Sequence, residues 1–203
     1  MFQDATYPRL FSLVKCGLQP TDKPSQVLAP LGGHKLLYLR SDVQVQGHPT
    51  IGVYIDGACP GNGTPTAKGS YGVYFAPNSP YNTSGKLPTD FPQTSQRAEL
   101  IAALIALEQI QTVNETYRSL ELFIVITDSD YLVNSIGKYI MNWKRNNWIS
   151  ASRKEIVNRD LFERLDLKLE ELYNRQHDID ILWWKVDRSE NTEADRLANW
   201  ALQ

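Results

Sequence analysis

The stretch that most limits the possible folds is the nearly continuous apolar run ELFIVIT at residues 121–127. Such a run is typical of a strand buried at the centre of a sheet. Further strands are predicted at 51–55, 70–76, 81–87 and 179–186, where β-branched and aromatic residues alternate with turns rich in glycine, proline and asparagine. The chain is therefore expected to build one sheet of five strands.

Helices are predicted between and after these strands, because apolar residues recur there at helical spacing. They cover residues 94–111, 129–143, 156–174 and 191–202, and Ser95 is the predicted N-cap of the first. The order is three strands, a helix, a strand, helices, a strand and a helix. This order indicates an α/β fold in the broad sense, an α+β mixed sheet with helices packed against it.

Residues 1–50 differ from the rest, since they are rich in proline and only 9–16 and 34–40 form apolar runs. We interpret 1–50 as an N-terminal extension of unknown role, draped on the main domain or partly loose, and 51–203 as that main domain. The chain is 42% hydrophobic and 22% charged, which is ordinary for a soluble globular protein.

Cysteine usage and the terminal sequence suggest a location. Two cysteines do not make a disulfide framework, which favours a reducing compartment. No apolar stretch approaches the length of a membrane span, and the N-terminus lacks a signal-peptide pattern. We therefore expect an intracellular protein without membrane association. A monomer is the default expectation, and a protein partner bound through residues 1–50 stays an open question.

Four acidic residues stand near the predicted ends of strands and helices. Asp56 ends the first strand and Asp128 ends the fourth, whereas Glu99 and Asp195 lie on the first and last helices. If the two strands are neighbours, the acids can cluster at one end of the sheet. Clustered carboxylates take up protons or bind a hard cation, and oxygen-only ligands suit Mg²⁺ or Mn²⁺. Each acid taken alone has a simpler interpretation as a turn, cap or solvated residue.

Six segments resemble the successive motifs of type 1 ribonuclease H, in the order of that family: YIDGACPGNG, TSQRAEL, ITDSDYLVNSI, NWKRNNW, IVNRDL and TEADRLA. The resemblance covers about residues 51–203 and implies that they form a catalytic domain with an RNase H-like fold. It also implies metal-dependent hydrolysis of the RNA strand of an RNA–DNA hybrid, leaving a 3′-hydroxyl and a 5′-phosphate. Asp56, Glu99, Asp128 and Asp195 would be the catalytic residues and would coordinate two Mg²⁺ ions, with Mn²⁺ as an alternative.

The resemblance further implies a set of contacts to the hybrid. A glycine-containing turn would contact RNA 2′-hydroxyls, two polar residues the minor groove, two others a DNA phosphate, and aromatic rings the DNA sugars. The implied nucleic-acid-binding residues are Cys59, Gly61, Asn62, Thr94, Ser95, Gln96, Tyr131, Tyr139, Trp143, Lys144, Arg145 and Asn158. Trp148, in contrast, is expected to pack in the core.

The distribution of charge supports this interface independently. Six basic residues and one acidic residue lie from Lys138 to Arg159, whereas residues 51–203 as a whole carry a net charge of −4. A local positive patch in an acidic background can hold phosphates. A solvated surface remains the alternative for any single lysine.

The chain also departs from the family pattern in the loop before the last helix, which is short and contains no histidine. The three histidines, His34, His48 and His177, all precede the end of the last strand. The family histidine assists water activation or product departure, and such general acid–base help is worth about 10²–10⁴-fold. We therefore expect weak to moderate activity. Asp187 and Glu190 are the loop acids available as substitutes, with surface charge as their alternative role.

A second departure is Pro92, where the family has an arginine beside Thr94. Proline cannot grip a phosphate, so DNA-strand affinity and hybrid selectivity are in doubt. Two alternatives to a hybrid nuclease therefore stay open. One is a weakly active or inactive RNase H-like module that binds nucleic acid or a protein, and the other is a nuclease acting on double-stranded RNA.

Overall fold

The computed structural model describes residues 9–41, 43, 45, 48–173 and 179–203. The predicted end of the third helix at residue 174 and His177 lie outside the described residues. In chain order the strands and helices are β1 (Arg9–Leu10), α1 (Pro24–Val27), β2 (Leu28–Pro30), β3 (Leu37–Leu39), β4 (Thr50–Ala58), β5 (Ser70–Tyr74), β6 (Thr83–Lys86), α2 (Ser95–Thr116), β7 (Leu122–Thr127), α3 (Asp130–Asn134), α4 (Ile140–Arg145), α5 (Arg159–Tyr173), β8 (Asp180–Lys185) and α6 (Thr192–Trp200). A π-helical turn, Ser135–Tyr139, joins α3 to α4.

The sheet has β7 at its centre, parallel to β4 on one side and to β8 on the other. β5 runs antiparallel to β4, and β6 antiparallel to β5. These five strands confirm the predicted mixed sheet flanked by helices. Three short strands from residues before position 51 enlarge it: β1 pairs with β8, β3 pairs with the first part of β4, and β2 pairs with β3.

Both faces of the central strand are buried, which explains its continuous apolar sequence. Phe123 and Val125 belong to the core cluster on the face covered by α2 and α5. Ile124 and Ile126 belong to a second cluster on the opposite face, which residues of the N-terminal extension cover. Successive side chains of a strand point to opposite faces, so one run supplies two cores.

Two helix starts differ from the prediction for local reasons. Thr94, not Ser95, is the N-cap of α2, because its backbone is extended and its side chain accepts a hydrogen bond from the Arg97 amide at 3.3 Å. The predicted helix 156–174 begins only at Arg159, since Asn158 has a φ of +61° that breaks a right-handed helix.

None of the helices in the described ranges has the length and apolar character needed to cross a membrane.

Candidate active site

The sheet topology brings Asp56 and Asp128 to the same end of two neighbouring strands. β4 and β7 are parallel, and Tyr54 lies opposite Ile126, so each aspartate follows the last paired residue by two positions. Asp56 is buried at 5% exposure, and Asp128 lies close enough to raise the pKa of its carboxyl, after the larger effect of burial. Two neighbouring carboxyls share a proton more readily than they both ionise.

Glu99 reaches this end of the sheet from the first turns of α2. The helix approaches β4 closely because Gly57 has no side chain: a Cβ there would lie 2.3 Å from the Glu99 amide nitrogen. Glu99 accepts a backbone hydrogen bond from Gly57, while its Oε2 atom is buried without a hydrogen-bond partner. A buried carboxylate oxygen without a donor is costly and is suited to a cation.

Asp195 comes from α6, which packs on β5 at a second glycine. A Cβ on Gly72 would lie 2.4 Å from the Ala194 carbonyl oxygen, and the Ser70 hydroxyl donates to the Ala198 carbonyl at 2.7 Å. These contacts fix the helix so that the charge of Asp195 contributes to the raised pKa of Asp56. The four predicted acids therefore lie near one end of the sheet and influence one another electrostatically.

Burial and mutual repulsion set the electrostatics of this carboxylate cluster. Burial first, and then the charges of Asp128 and Asp195, raise the pKa of Asp56 to about 7. Burial and the charges of Asp56 and Asp128 hold the pKa of Glu99 well above its usual range. The cluster is thus poised to hold protons or positive charge near neutral pH.

A positive charge is already present, supplied by Arg188, which the sequence did not identify. It lies in a short 3₁₀ turn, Arg188–Glu190, and its guanidinium donates to Asp195 Oδ1 at 2.7 Å. Its charge lowers the pKa of both Asp56 and Glu99. From sequence, Arg188 is one more charged residue in a surface loop, and only the packing of α6 shows which acid it meets.

Asn191 is the second residue that the sequence did not identify. It is fully buried, and its Nδ2 donates to Asp128 Oδ1 at 2.8 Å and to the Ile55 carbonyl at 2.9 Å. One side chain thereby ties the loop before α6 to the ends of β4 and β7. The sequence signal for this role was the position of Asn191 directly before the helix that carries Asp195. An asparagine at that position, however, has the simpler interpretation of an N-cap.

The donor set fits a hard divalent cation, because it consists of carboxylate oxygens and includes the unpartnered Glu99 Oε2. The geometry is not that of an assembled metal site, since no group of three His, Cys, Asp or Glu side chains in the described part of the chain is arranged to hold an ion. One reason is that Asp195 forms an ion pair with Arg188 and is therefore not free to coordinate a metal ion together with the other acids. The catalytic and metal-binding roles of the four acids stay predictions.

The predicted RNA-contacting turn lies against the start of α2. Gly61 has a φ of +72°, a left-handed conformation that favours glycine. Asn62 Oδ1 accepts a hydrogen bond from the Ser95 amide at 3.3 Å, and Cys59 is half-buried at the base of the turn. Gln96 is exposed beside it. The turn and the helix start therefore form one surface next to the acids.

Thr94 and Asn158, the predicted phosphate contacts, are linked through Arg97. Its backbone amide donates to Thr94 Oγ1, and its guanidinium donates to Asn158 Oδ1 at 3.3 Å. The same guanidinium binds Asp160 with two hydrogen bonds of 3.0 and 2.7 Å and lies over the Phe91 ring. Arg97 is buried, so it organises this pocket from within, a role that sequence reasoning missed.

The predicted aromatic channel is formed by adjacent rings. Tyr139 is 47% exposed, and its ring lies 5.8 Å from that of Trp143. Trp143 in turn packs edge-on against Phe162 in the core. Trp148 is buried, as predicted. The hydroxyl of Tyr131 accepts a hydrogen bond from Asn158, which places it beside the phosphate pocket.

The basic segment divides into paired and exposed side chains. Lys144 forms ion pairs with Asp166 at 2.6 Å and Glu170 at 3.0 Å. Arg159 pairs with Glu163 on its own helix and with Glu155 in the segment before it. The remaining four are exposed: Lys138, Arg145, Arg153 and Lys154. The positive surface offered to a ligand is therefore smaller than the count of six suggests, and the predicted contact through Lys144 requires exchange of its ion pairs.

Known proteins resemble this chain in sequence and fold. The RNase H family profile matches residues 48–203. Ribonuclease H1 of Homo sapiens is 37% identical over 150 residues, covering 72% of this chain and 48% of that protein. Ribonuclease H of Rhodopseudomonas palustris (strain BisB5) is 36% identical over 152 residues, covering 74% of this chain and 90% of that protein.

The solved structure of LC11-RNase H1, isolated from compost, has a TM-score of 0.52 at 20% identity and covers 74% of this chain and 93% of its own, which shows a shared fold. The chain spans about half the length of the mammalian relatives it matches. The family profile covers well over half of this chain, and the bacterial relative is matched over nearly its whole length. The chain belongs to the RNase H family, as its resemblance to type 1 ribonuclease H predicted.

Proposed function

We propose that this protein hydrolyses the RNA strand of RNA–DNA hybrids with the help of two divalent cations, Mg²⁺ or alternatively Mn²⁺, leaving 3′-hydroxyl and 5′-phosphate ends. The observation that supports the proposal is the proximity of Asp56, Glu99, Asp128 and Asp195 at one end of the sheet, where burial and then mutual repulsion raise the pKa of Asp56 and Glu99. Family membership supports it, as does the solved complex of LC11-RNase H1 with an RNA/DNA hybrid.

The four acids act together in this proposal. Their carboxylates would hold two divalent cations, which when bound would neutralise the carboxylates and stabilise the attacking and leaving oxygens of the phosphodiester. Asp56 must release its proton to bind a cation, so cation binding would be favoured as pH rises through about 7. The raised pKa of Glu99 acts in the same direction. Asn191 keeps Asp128 oriented through its hydrogen bond at 2.8 Å.

The hybrid would lie across the surfaces beside the acids. The turn at Gly61 offers backbone groups to RNA 2′-hydroxyls, which distinguish RNA from DNA. The phosphate pocket at Thr94 and Asn158, together with the exposed ring of Tyr139, would contact the DNA strand. Exposed lysines and arginines between residues 138 and 154 would hold further phosphates.

A cleavage assay tests this proposal with end-labelled RNA–DNA hybrid, duplex RNA, single-stranded RNA and duplex DNA, each with Mg²⁺, Mn²⁺ or a chelator. The expected result is metal-dependent cleavage of the hybrid RNA strand, lost in Asp128→Asn. The matched control is Asp130→Asn, which removes a nearby exposed carboxylate. Cleavage of duplex RNA in preference to the hybrid would replace the proposed substrate, and cleavage unaffected by Asp128→Asn would overturn the site.

A second candidate function is a nucleic-acid-binding module without turnover. It is favoured by the Arg188–Asp195 ion pair at 2.7 Å, because a guanidinium that stays on this acid blocks its use as a metal ligand. Hybrid binding at equal strength with Mg²⁺ or chelator, without cleavage under either condition, would establish this alternative.

A further inference from the structure

The N-terminal extension is bound to the sheet along its described length. The Phe11 ring lies 4.9 Å from that of Trp184, and the Phe11 amide donates to the Trp183 carbonyl at 2.8 Å. Leu28 fills the space over Gly52, where a Cβ would lie 2.5 Å from its side chain. These contacts fix the position of the extension relative to β4 and β8.

At its first helix the extension reaches the loop that precedes α6. Lys23 Nζ donates to one carboxylate oxygen of Glu190 and Ser25 Oγ donates to the other, each at 2.9 Å. The Glu190 side chain is only 13% exposed, whereas that of Lys23 is 52% exposed. The hydrogen bond from Lys23 lowers the pKa of Glu190, which favours the ionised form of the acid. Glu190 is therefore engaged with the extension, which removes it as the substitute acid considered from sequence.

Glu190 lies between the two loop residues that contact the carboxylate cluster. Arg188 holds Asp195, and Asn191 holds Asp128. Two backbone hydrogen bonds close the turn that carries all three, from Glu190 to the Asp187 carbonyl at 2.9 Å and from Asn191 to the Arg188 carbonyl at 3.1 Å. Glu190 thus shares one short turn with the two residues that bind Asp195 and Asp128.

We propose that the N-terminal extension positions the active-site loop, with Lys23 and Ser25 acting through Glu190 as a clamp that keeps Asn191 on Asp128 and Arg188 on Asp195. This inference rests on the proposed function for its effect on catalysis, but the clamp itself is a property of the protein without substrate. Glu190, Lys23 and Ser25 are positioning residues, since none of them contacts the acids directly.

The decisive variant is Lys23→Met/Ser25→Ala, which removes both donors and leaves every loop residue in place. The readout is hydrogen exchange of the Asn191 side-chain amide, measured by NMR on the full chain without substrate or metal. That amide is fully buried and hydrogen-bonded to Asp128 and Ile55. Asn114 is the internal control, because its buried side-chain amide donates to the Leu120 carbonyl at 3.0 Å on the opposite face of the sheet.

We expect exchange at Asn191 to accelerate about three- to tenfold while exchange at Asn114 is unchanged, since an ion pair with two charge-assisted hydrogen bonds contributes on this scale. Lys23→Glu combined with Glu190→Lys should slow exchange at Asn191 again. Unchanged exchange at Asn191, or equal acceleration at both asparagines, would overturn the clamp.

Activity supplies a separate readout. If the protein cleaves hybrids, Lys23→Met/Ser25→Ala should lower kcat about three- to tenfold with KM unchanged, because the acids and not the hybrid contacts are disturbed. A selective change in KM would contradict the proposal. If the wild-type chain does not cleave hybrids, the proposed function fails, whereas the exchange experiment still decides the clamp.

Discussion

Arg188 places a positive charge against the carboxylate cluster, where a cation would bind. Its guanidinium donates a hydrogen bond to Asp195 Oδ1 at 2.7 Å. It also lies close enough to Asp56 and Glu99 to oppose the rise in the pKa of both. A divalent cation that binds these acids must therefore displace it or bind against its charge. The loop arginine and a divalent cation would therefore compete for the same carboxylates.

The substitution Arg188→Ala tests this competition. Removing the positive charge and releasing Asp195 should strengthen Mg²⁺ binding about three- to tenfold, measured by calorimetry on the substrate-free protein. Arg196→Ala is the matched control, because Arg196 lies on the same helix as Asp195 but pairs with the exposed Glu193. Weaker Mg²⁺ binding by Arg188→Ala would show that the arginine organises the site and does not compete for it.

The raised pKa of Asp56 makes stability depend on pH. The native protein keeps this proton up to a pH of about 7, whereas an unfolded aspartate loses it near 3.8. Stability from this group is therefore complete below about pH 4 and is lost as pH rises through about 7. Asp56→Asn should be more stable than the wild type at pH 8 by about 1 to 3 kcal/mol, with the difference vanishing near pH 4.

The measurement is urea denaturation at a series of pH values in the presence of a chelator. Asp130→Asn serves as the control, since it removes an exposed carboxylate two positions beyond Asp128. If Asp56→Asn were less stable than the wild type at pH 8, burial and repulsion would not be the forces acting on Asp56.

The packing of α2 on β4 is the element-scale contact that places Glu99. At Gly57 an added Cβ would meet backbone atoms, lying 2.3 Å from the Glu99 nitrogen and 2.4 Å from the Ala98 carbonyl carbon. No rotamer change relieves such a contact. Gly57→Ala should therefore lower the free energy of unfolding by about 1 to 3 kcal/mol and abolish the alignment of Glu99 with the other acids.

Thermal denaturation and Mg²⁺ titration of Gly57→Ala measure these two effects. Gly33→Ala is the matched control, because nothing lies within 4 Å of a Cβ at that position and its φ is not left-handed. Unchanged stability together with unchanged Mg²⁺ affinity would mean that α2 can shift without disturbing the site.

Sequence periodicity predicted the elements well where burial alone decides the structure. The run at 121–127 became the central strand β7, and apolar spacing located α2, α5 and α6. It failed where one local geometry decides. Thr94 and Ser95 are equally good cap residues, and only the extended backbone at Thr94 selects it. Asn158 adopts a left-handed backbone conformation just before α5. Asparagine tolerates this conformation better than most residues, but its presence in a sequence does not predict it.

In the whole molecule, the position of Asp56 and Asp128 at one end of the sheet could be predicted only on the condition that their strands are neighbours, which the pairing of β4 with β7 fulfils. The family resemblance added Glu99 and Asp195, and the roles of all four stay predictions.

Arg188, Asn191 and Glu190 could not be predicted, since each acts through a contact with a distant part of the chain. Lys23 and Glu190 are separated by 167 positions, and the sequence around either residue does not predict a contact with the other. The extension could be recognised as distinct in composition, but its partner surface exists only once the sheet has formed.

The extension is expected to unfold together with the sheet, because its apolar side chains and those of β4, β7 and β8 form one core cluster. Leu28 is 7% exposed within this cluster, so Leu28→Ala should lower the free energy of unfolding by about 2 to 5 kcal/mol. Leu31→Ala, three positions away in the same extension at 64% exposure, should change it little. Urea denaturation followed by tryptophan fluorescence and by circular dichroism should give a single coincident transition in both variants. Two separate transitions, or equal effects of the two substitutions, would mean that the extension folds as an appendage and that the second face of the sheet is stable without it.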